Sequence, residues 1–177
     1  MNQTSNKQRR RMVLAAGATV LTCGASVVLT RSCAQQAYPH GSPLAFDLGQ
    51  LPSGKLLTLE WQGLPVWLLR RTAAEIGALA ALEAVLTDPD SNDSLQPSAC
   101  RNRHRSLRPE IFVAIGLCTH QGCAPALRGS DGFLCPCHAS RYDLAGRVFK
   151  VGPAPANLVI PAYRYEAQER LVLGEEA

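Results

Sequence analysis

The sequence predicts a mainly β domain of ordinary size, attached to a single N-terminal transmembrane helix and carrying one inserted helix. Two observations lead to this prediction. A run of 19 residues without a formal charge lies near the N-terminus, and the rest of the chain contains many short strand-like segments between turns. With 177 residues, 46% hydrophobic and 18% charged, the chain can bury one core but cannot form two large domains.

The positive charge of the chain is concentrated at its N-terminus. Lys7, Arg9, Arg10 and Arg11 account for the whole net charge of +4, because the remaining 14 basic and 14 acidic residues cancel. A body without net charge has no basic surface that would neutralise phosphates, so nucleic acid is not an expected partner.

The apolar run from Met12 to Thr30 predicts a membrane anchor. As a helix it would span roughly 28 Å, close to the hydrocarbon thickness of a bilayer. A cleaved signal peptide is the alternative, since Ser32-Cys33-Ala34 resembles a cleavage site, but the run exceeds the usual signal core. The basic residues before the anchor should stay cytoplasmic, which sends the body to the outer side. Arg10-Arg11 also fits a twin-arginine export signal.

Composition divides the chain into three parts. Residues 1–31 are predicted to form the cytoplasmic basic tail and the transmembrane anchor. Residues 32–43, which include two prolines and a glycine and lack apolar periodicity, are predicted to be a flexible hinge linker. Residues 44–177 are predicted to form the folded domain.

Short apolar or alternating segments predict the strands of the body. They are residues 55–61, 64–69, 111–117, 132–134, 147–150, 158–166 and 170–173. Thr72 and Glu75 match a capping box that opens an Ala/Leu-rich helix, which should end by Asp88-Pro89. The polar segment 88–109 is expected to be a surface loop with its arginines in solvent.

Two boxes of cysteine and histidine suggest the chemistry of the chain. They are Cys118-Thr119-His120-Gln121-Gly122-Cys123 and Cys135-Pro136-Cys137-His138-Ala139-Ser140. Four cysteines and two histidines within 21 residues suit either a zinc site or an iron–sulfur site in which histidines replace two cysteines on one iron. A zinc site would leave two cysteines over, which an exported domain could join as a disulfide.

The boxes resemble those of Rieske iron–sulfur proteins, specifically those of quinol-oxidising cytochrome bc1 complexes. The likeness includes C-T-H-x-G-C, C-P-C-H-x-S and Tyr142, two residues after Ser140. It continues through residues 143–149 and 152–158, the latter similar to the family's proline-rich loop over the cluster. The anchor, the linker and the strand pair near Trp61 also fit. Gln121 and Ala139 stand where the family commonly has leucine and glycine.

The resemblance implies a Rieske-type antiparallel β domain that holds one 2Fe-2S cluster. The implied ligands are Cys118 and Cys135 on one iron and His120 and His138 on the other. With two neutral imidazoles in place of two thiolates, the oxidised site has no net charge and accepts an electron more readily than a site with four thiolates. A high reduction potential is therefore expected.

The resemblance also implies groups that support the cluster. Cys123 and Cys137 would form a disulfide between the boxes, and Ser140 and Tyr142 would donate hydrogen bonds to a bridging sulfide and to the Cys118 sulfur. No catalytic part is expected for Cys23, Cys33 or Cys100, and a disulfide between Cys33 and Cys100 is an alternative that the sequence leaves open. His40 and His104 lie in polar segments and are expected in solvent.

The function implied by the resemblance is electron transfer in a bacterial inner membrane, with the domain in the periplasm. Such a subunit of a ubiquinol–cytochrome c reductase, an oxidoreductase and translocase, would be active only within its complex. It would take an electron and a proton from ubiquinol at cytochrome b, with His138 and His120 as catalytic residues. The electron would then pass to a membrane-anchored c-type cytochrome, while the anchor contacts membrane lipid.

Two other functions fit the sequence. One is the Rieske subunit of another exported oxidoreductase, such as an arsenite-oxidising enzyme. The other is a zinc-stapled periplasmic binding module without redox activity.

Overall fold

The computed structural model describes residues 39–176, which form nine strands in three antiparallel sheets of three strands each. The mainly β class with one α-helix is confirmed for this part of the chain. The predicted transmembrane helix at Met12–Thr30 lies outside the described residues. Among residues 39–176, no helix has the length and apolar character needed to cross a membrane.

The first sheet joins the two ends of the described chain. Strand β1 (Leu44–Asp47) pairs with β9 (Arg170–Leu173), which in turn pairs with β8 (Tyr163–Ala167). The prediction missed β1, because four residues are too few for an alternating pattern to stand out. The segment before β1 is also tied to the body, since the indole of Trp61 donates to the Ser42 carbonyl at 2.8 Å.

The second sheet follows the prediction closely. Strand β2 (Leu56–Trp61) turns into β3 (Leu64–Arg70) at Gln62-Gly63, and β3 also pairs with β4 (Ile111–Ile115). Both turn residues have positive φ, 53° and 75°, as a two-residue hairpin turn between twisted strands requires. Every residue of β4 is buried, so the sheet supplies the centre of the core.

The third sheet is small, and its strands lie on both sides of the second cysteine–histidine box in the sequence. It consists of β5 (Ala126–Leu127), β6 (Phe133–Leu134) and β7 (Arg141–Tyr142), with β6 in the middle. The prediction found only β6, since strands of two residues have no periodicity to read.

Aromatic packing fixes the third sheet against the second. The ring of Trp67 on β3 stacks on Phe133 of β6, with centroids 4.7 Å apart, and Phe112 on β4 lies 6.3 Å from the same ring. Gly116 lets the chain pass the Trp67 ring, where a Cβ would collide with the indole. The chain therefore passes from the end of β4 into the first box at a fixed position beside the third sheet.

Two predicted strands are shorter than expected. Residues 147–150 form only single bridges, because the N–H of Val148 donates to the Asn157 side chain instead of a neighbouring strand. The predicted strand 158–166 begins only at Tyr163, after Pro161, which has no N–H to donate.

The predicted helix forms with its capping box but is short. Thr72 Oγ1 accepts the Glu75 N–H at 3.3 Å, and the Glu75 carboxylate accepts the Thr72 N–H at 2.7 Å. The α-helix α1 covers Ala73–Ala78 and continues as a 3₁₀-helix over Leu79–Val85. The Leu79 carbonyl accepts a hydrogen bond from the Arg147 guanidinium at 2.7 Å. At this carbonyl, a side chain takes the place of the backbone N–H that would continue an α-helix.

The expectation that segment 88–109 lies on the surface is wrong. Several of its polar residues are buried, and they are Asp88, Ser91, Ser94, Gln96, Arg105 and Ser106. Arg105 is fully buried, donating to Gln96 Oε1 at 2.9 Å and to the Gly146 carbonyl at 3.3 Å. Burial lowers the pKa of its guanidinium to about 10, and Asp143 and Asp88 oppose that shift.

We expect the burial of Arg105 to be visible in its contribution to stability. Arg105→Ala should lower the free energy of unfolding by at least about 2 kcal/mol, because it removes two charge-assisted hydrogen bonds and leaves buried acceptors unsatisfied. Arg101→Ala, at an exposed position of the same segment, should change it by no more than about 0.5 kcal/mol. Equal thermal unfolding midpoints for the two variants would contradict the buried placement.

Candidate metal centre

Each box is a closed loop held by its own backbone. In the first box the Cys118 N–H donates to the Cys123 carbonyl at 2.8 Å. In the second box the Cys135 N–H donates to the Ser140 carbonyl at 2.8 Å, and the Ala139 N–H donates to the Cys135 carbonyl at 3.0 Å. These backbone hydrogen bonds close each loop at its first cysteine, Cys118 or Cys135.

A disulfide joins the two boxes. Cys123 and Cys137 are bonded and lie 14 residues apart in the sequence. The pairing implied by the family resemblance is therefore confirmed. It leaves Cys118 and Cys135 as free thiols, one in each box.

The remaining cysteines and histidines of the boxes form a thiol pair and an imidazole pair. Cys118 and Cys135 are buried, with 4% and 2% of their surface exposed. The rings of His120 and His138 meet edge to face with centroids 4.8 Å apart, and His138 is exposed while His120 is half-buried. The two thiols are therefore shielded from solvent, whereas the imidazole pair is accessible to solvent through His138.

The donor set fits an iron–sulfur cluster held by two cysteines and two histidines. Two free thiols, buried away from water, match the thiolate side of such a site. His120 Nδ1 is buried without a hydrogen-bond partner, as expected of an atom whose partner is not a protein group.

The surroundings of Cys118 favour its thiolate. Burial alone would raise the pKa of the thiol, but hydrogen bonds outweigh burial and lower the pKa below its usual value. These bonds come from the Tyr142 hydroxyl, the His120 N–H, the Cys135 side chain and the Gln121 N–H. A thiol must lose its proton to bind a metal, so this shift prepares Cys118 as a ligand.

Tyr142 lies where the family resemblance places it. Its hydroxyl oxygen is 3.2 Å from Cys118 Sγ and accepts the Thr119 N–H at 3.1 Å. Burial, together with the Cys118 contact, raises the pKa of Tyr142, so the phenol keeps its proton. With Cys118 as thiolate, the hydroxyl is the donor in their contact.

Ser140 is buried beside the second box. Its Oγ accepts the Ala154 N–H at 3.1 Å, which leaves its own hydroxyl hydrogen for another acceptor. The hydroxyl therefore has a donor to offer, as its expected bond to a sulfide requires.

The sequence analysis missed two residues of the site. Thr119 Oγ1 donates to the Ala156 carbonyl at 2.7 Å and so connects the first box to residues 152–157. Its place between Cys118 and His120 was a signal that could have singled it out. Asn157, buried at the end of that segment, gave no signal because the groups to which its side chain donates are more than 60 residues away in the sequence.

Both departures from the family pattern lie in the loops. Ala139 has φ 58°, in the left-handed region that favours glycine, so alanine costs about 1 kcal/mol at this turn. Gln121 is exposed next to His120, where its amide meets water.

The other described cysteine and histidines lie elsewhere in the domain. Cys100 is buried with its Sγ 3.7 Å from the Tyr163 hydroxyl, and burial raises the pKa of its thiol. His40 lies 3.7 Å from a carboxylate oxygen of Glu176. His104, expected in solvent, is half-buried, and burial lowers its pKa. Cys23 and Cys33 lie outside the described residues.

Comparison with known proteins agrees with this geometry. Residues 98–164 match the Rieske [2Fe-2S] domain family. The chain is 43% identical to the ubiquinol-cytochrome c reductase iron-sulfur subunit of Allochromatium vinosum, over 98% of this chain and 92% of that one. It is 38% identical to the subunit of the same name from Bradyrhizobium diazoefficiens, over 76% of this chain and 73% of that one. It is 40% identical to the mitochondrial cytochrome b-c1 complex subunit Rieske of Schizosaccharomyces pombe, over 71% of this chain and 52% of that one.

The fold and the two boxes define a Rieske [2Fe-2S] domain, whose cofactor is one 2Fe-2S cluster. A zinc-stapled module without redox activity is thereby excluded. The chain belongs to the family of ubiquinol-cytochrome c reductase iron-sulfur subunits, components of an oxidoreductase complex.

We expect the Tyr142 hydroxyl to raise the potential of the cluster. Tyr142→Phe removes a charge-assisted hydrogen bond of about 1.5–3 kcal/mol, which stabilises the sulfur more when it carries more negative charge. The midpoint potential, measured by redox titration of the electron paramagnetic resonance (EPR) signal, should fall by some tens of millivolts. The control is Tyr163→Phe, since that buried hydroxyl accepts the Leu107 N–H away from the boxes. An equal change in both variants would mean that Tyr142 has no specific effect.

We expect loss of the disulfide to loosen the two loops. A crosslink closing a loop of this length stabilises a protein by about 3 kcal/mol. The double variant Cys123→Ala/Cys137→Ala should keep the four candidate ligands but lose its cluster faster on warming, as followed by the visible absorption. A bleaching rate equal to that of the unchanged chain would show that the loops hold their shape without the crosslink.

Proposed function

We propose that this chain takes one electron and one proton from ubiquinol at cytochrome b and passes the electron to a membrane-anchored c-type cytochrome of the same complex. One observation carries the proposal. His138 is exposed beside the half-buried His120, and the free cysteines of the same two boxes, Cys118 and Cys135, are buried. Two relatives are named as iron-sulfur subunits of a ubiquinol-cytochrome c reductase, which favours this role over that in an arsenite-oxidising enzyme.

We assign the cluster ligands to both boxes. Cys118 and Cys135 would bind one iron, and His120 and His138 the other. The burial of the two thiols and the pairing of the two rings support this assignment. When bound, the cluster supplies a reversible one-electron carrier of high potential, because two of its ligands are neutral.

The histidines would handle the proton. A ring that binds iron through one nitrogen leaves its other nitrogen available to a hydrogen-bond partner. Because His138 is exposed, a quinol hydroxyl can approach it directly and donate that hydrogen bond. His138 would be the first proton acceptor, and His120, with less exposed surface, would contribute the second ring of the pair.

The groups around Cys118 would keep the electron carrier at high potential. The Tyr142 hydroxyl and the backbone N–H groups of His120 and Gln121 all point towards the Cys118 sulfur. Donors fixed in this way stabilise added negative charge without having to reorient. The Ser140 hydroxyl would act in the same way on a bridging sulfide.

The membrane arrangement is part of the proposal. Residues 1–31 would anchor the chain in a bacterial inner membrane with the N-terminus in the cytoplasm, exported by the twin-arginine route. The linker 32–43 would let the periplasmic domain 44–177 move between its electron donor and its electron acceptor. The Pro39 carbonyl accepts the Ala162 N–H at 3.0 Å, so the free part of the tether would end there.

Substitution of the ligands tests the assignment. Cys118→Ser, Cys135→Ser, His120→Gln and His138→Gln should each abolish the EPR signal of the reduced 2Fe-2S cluster in membranes. The matched controls are Cys100→Ser and His104→Gln, which change a cysteine and a histidine outside the boxes and should keep the signal. A ligand variant that retains the native signal would overturn the assignment for that residue.

Electron flow in isolated membranes tests the function. Ubiquinol added to membranes should reduce the cluster and the c-type cytochrome, and the cytochrome should stay oxidised in the His138→Gln variant. If the cytochrome is reduced equally fast in that variant, this chain does not carry the electron.

A further inference from the structure

Residues 152–157, here called the cover loop, lie against both boxes. The Ala154 N–H donates to Ser140 Oγ at 3.1 Å, and the Ala156 carbonyl accepts from Thr119 Oγ1 at 2.7 Å. Gly152 approaches the second box so closely that a Cβ would lie 2.8 Å from Ser140 Cα, and its φ of 110° also excludes other residues. The cover loop thus has one contact point on each box.

The end of the cover loop is attached to a different part of the chain. The Asn157 side chain is buried, with 1% of the residue exposed, and donates through Nδ2 to the Asp88 carbonyl at 2.9 Å and to Ser91 Oγ at 3.1 Å. Its Oδ1 accepts the Val148 N–H at 2.8 Å, and its backbone N–H donates to Ser94 Oγ at 3.3 Å. Both ends of this amide are therefore occupied.

The partner of Asn157 is a rigid turn, residues 88–94, here called the Asp88 turn. The Asp88 carboxylate accepts the Asn92 N–H at 2.7 Å, the Asp93 N–H at 3.1 Å and the Ser94 hydroxyl at 2.6 Å. The carboxylate thus fixes the turn whose carbonyl and hydroxyls receive Asn157. Such a network holds one geometry, because an unmade bond would leave a buried polar group unsatisfied.

The residues on either side of the Asp88 turn form backbone hydrogen bonds with the chain before and after the cover loop. The Thr87 N–H donates to the Val148 carbonyl at 3.0 Å, and the Ile160 N–H donates to the Leu95 carbonyl at 3.0 Å. The Asp88 turn can therefore hold the cover loop in one position, and the Asn157 side chain connects the two segments.

We propose that the Asp88 turn, acting through Asn157, positions the cover loop over the metal centre. It would hold the loop on Thr119 and Ser140, and so limit the access of water to the cluster and shape the face that quinol approaches. This inference rests on the proposed function, since it assigns positioning residues to that same site. Asn157 and Ser94 act through the loop and do not touch the reacting atoms.

Alanine variants of the full chain in its membrane complex test the proposal. Asn157→Ala and Ser94→Ala should keep the 2Fe-2S signal, but with a changed EPR line shape, several-fold faster bleaching by an iron chelator and a higher KM for ubiquinol. Asn92→Ala is the matched control, because it is exposed and its backbone N–H, which the substitution keeps, makes the bond to Asp88. It should match the unchanged chain in all three readouts.

Hydrogen–deuterium exchange separates the possible outcomes. Faster exchange of the Ala154 amide, whose acceptor Ser140 is unchanged in Asn157→Ala and Ser94→Ala, would show directly that the loop has lost its anchor, with or without a cluster. Unchanged exchange, line shape and KM, with only a lower unfolding temperature, would overturn the proposal and leave these residues a structural role. Ser94→Ala, which removes only one hydroxyl, decides the matter if Asn157→Ala does not fold. An unchanged chain without any 2Fe-2S signal would instead overturn the proposed function.

Discussion

On the proposed ligand assignment, the domain has to keep two sulfur ligands away from water while leaving two imidazoles accessible to water and partners. Cys118 and Cys135 meet the first demand, since both are buried, and His138 meets the second, since it is exposed. A buried thiolate is costly unless its charge is stabilised, and hydrogen bonds from Tyr142 and backbone N–H groups supply that stabilisation. The two closed loops, their disulfide and the cover loop all serve this asymmetric arrangement.

The rest of the fold holds the two loops in place. The stack of Trp67 on Phe133 ties the small third sheet to the central one, so the boxes share a common base. The buried ion pair between Arg147 and Asp143, 2.7 Å apart, orders the segment that follows the second box. Arg147 also bonds the Leu79 carbonyl, which brings the end of the helical region onto the same segment. A polar interior of this kind favours one geometry, because breaking one of its hydrogen bonds would leave a buried polar group unsatisfied.

Local signals in the sequence predicted the features that depend on neighbouring residues. The capping box at Thr72 and Glu75, the hairpin at Gln62-Gly63 and the central strands all form as expected. The disulfide and the contact between Tyr142 and Cys118 followed from the family resemblance, not from spacing alone. These features depend on short motifs of neighbouring residues, which can be identified in a single sequence.

Features that depend on distant partners escaped the sequence analysis. Arg105 looks like a solvated arginine in a polar segment, but its acceptor on Gly146 lies 41 residues away. The two-residue strands of the third sheet form because Phe133 and Tyr142 are buried together. A pattern of two residues is too short to predict such a pairing. The ligand set, the membrane anchor and the linker remain predictions.

The midpoint potential of the cluster as a function of pH tests proton-coupled electron transfer by the histidines most directly. An EPR-monitored redox titration of the complex should give a constant potential at neutral pH. If the histidines take up the proton together with the electron, each electron must bring a proton with it in the alkaline range. The potential should then fall by about 59 mV per pH unit for each histidine ring engaged. A potential that stays constant across the whole alkaline range would show that the histidines do not take up the proton with the electron.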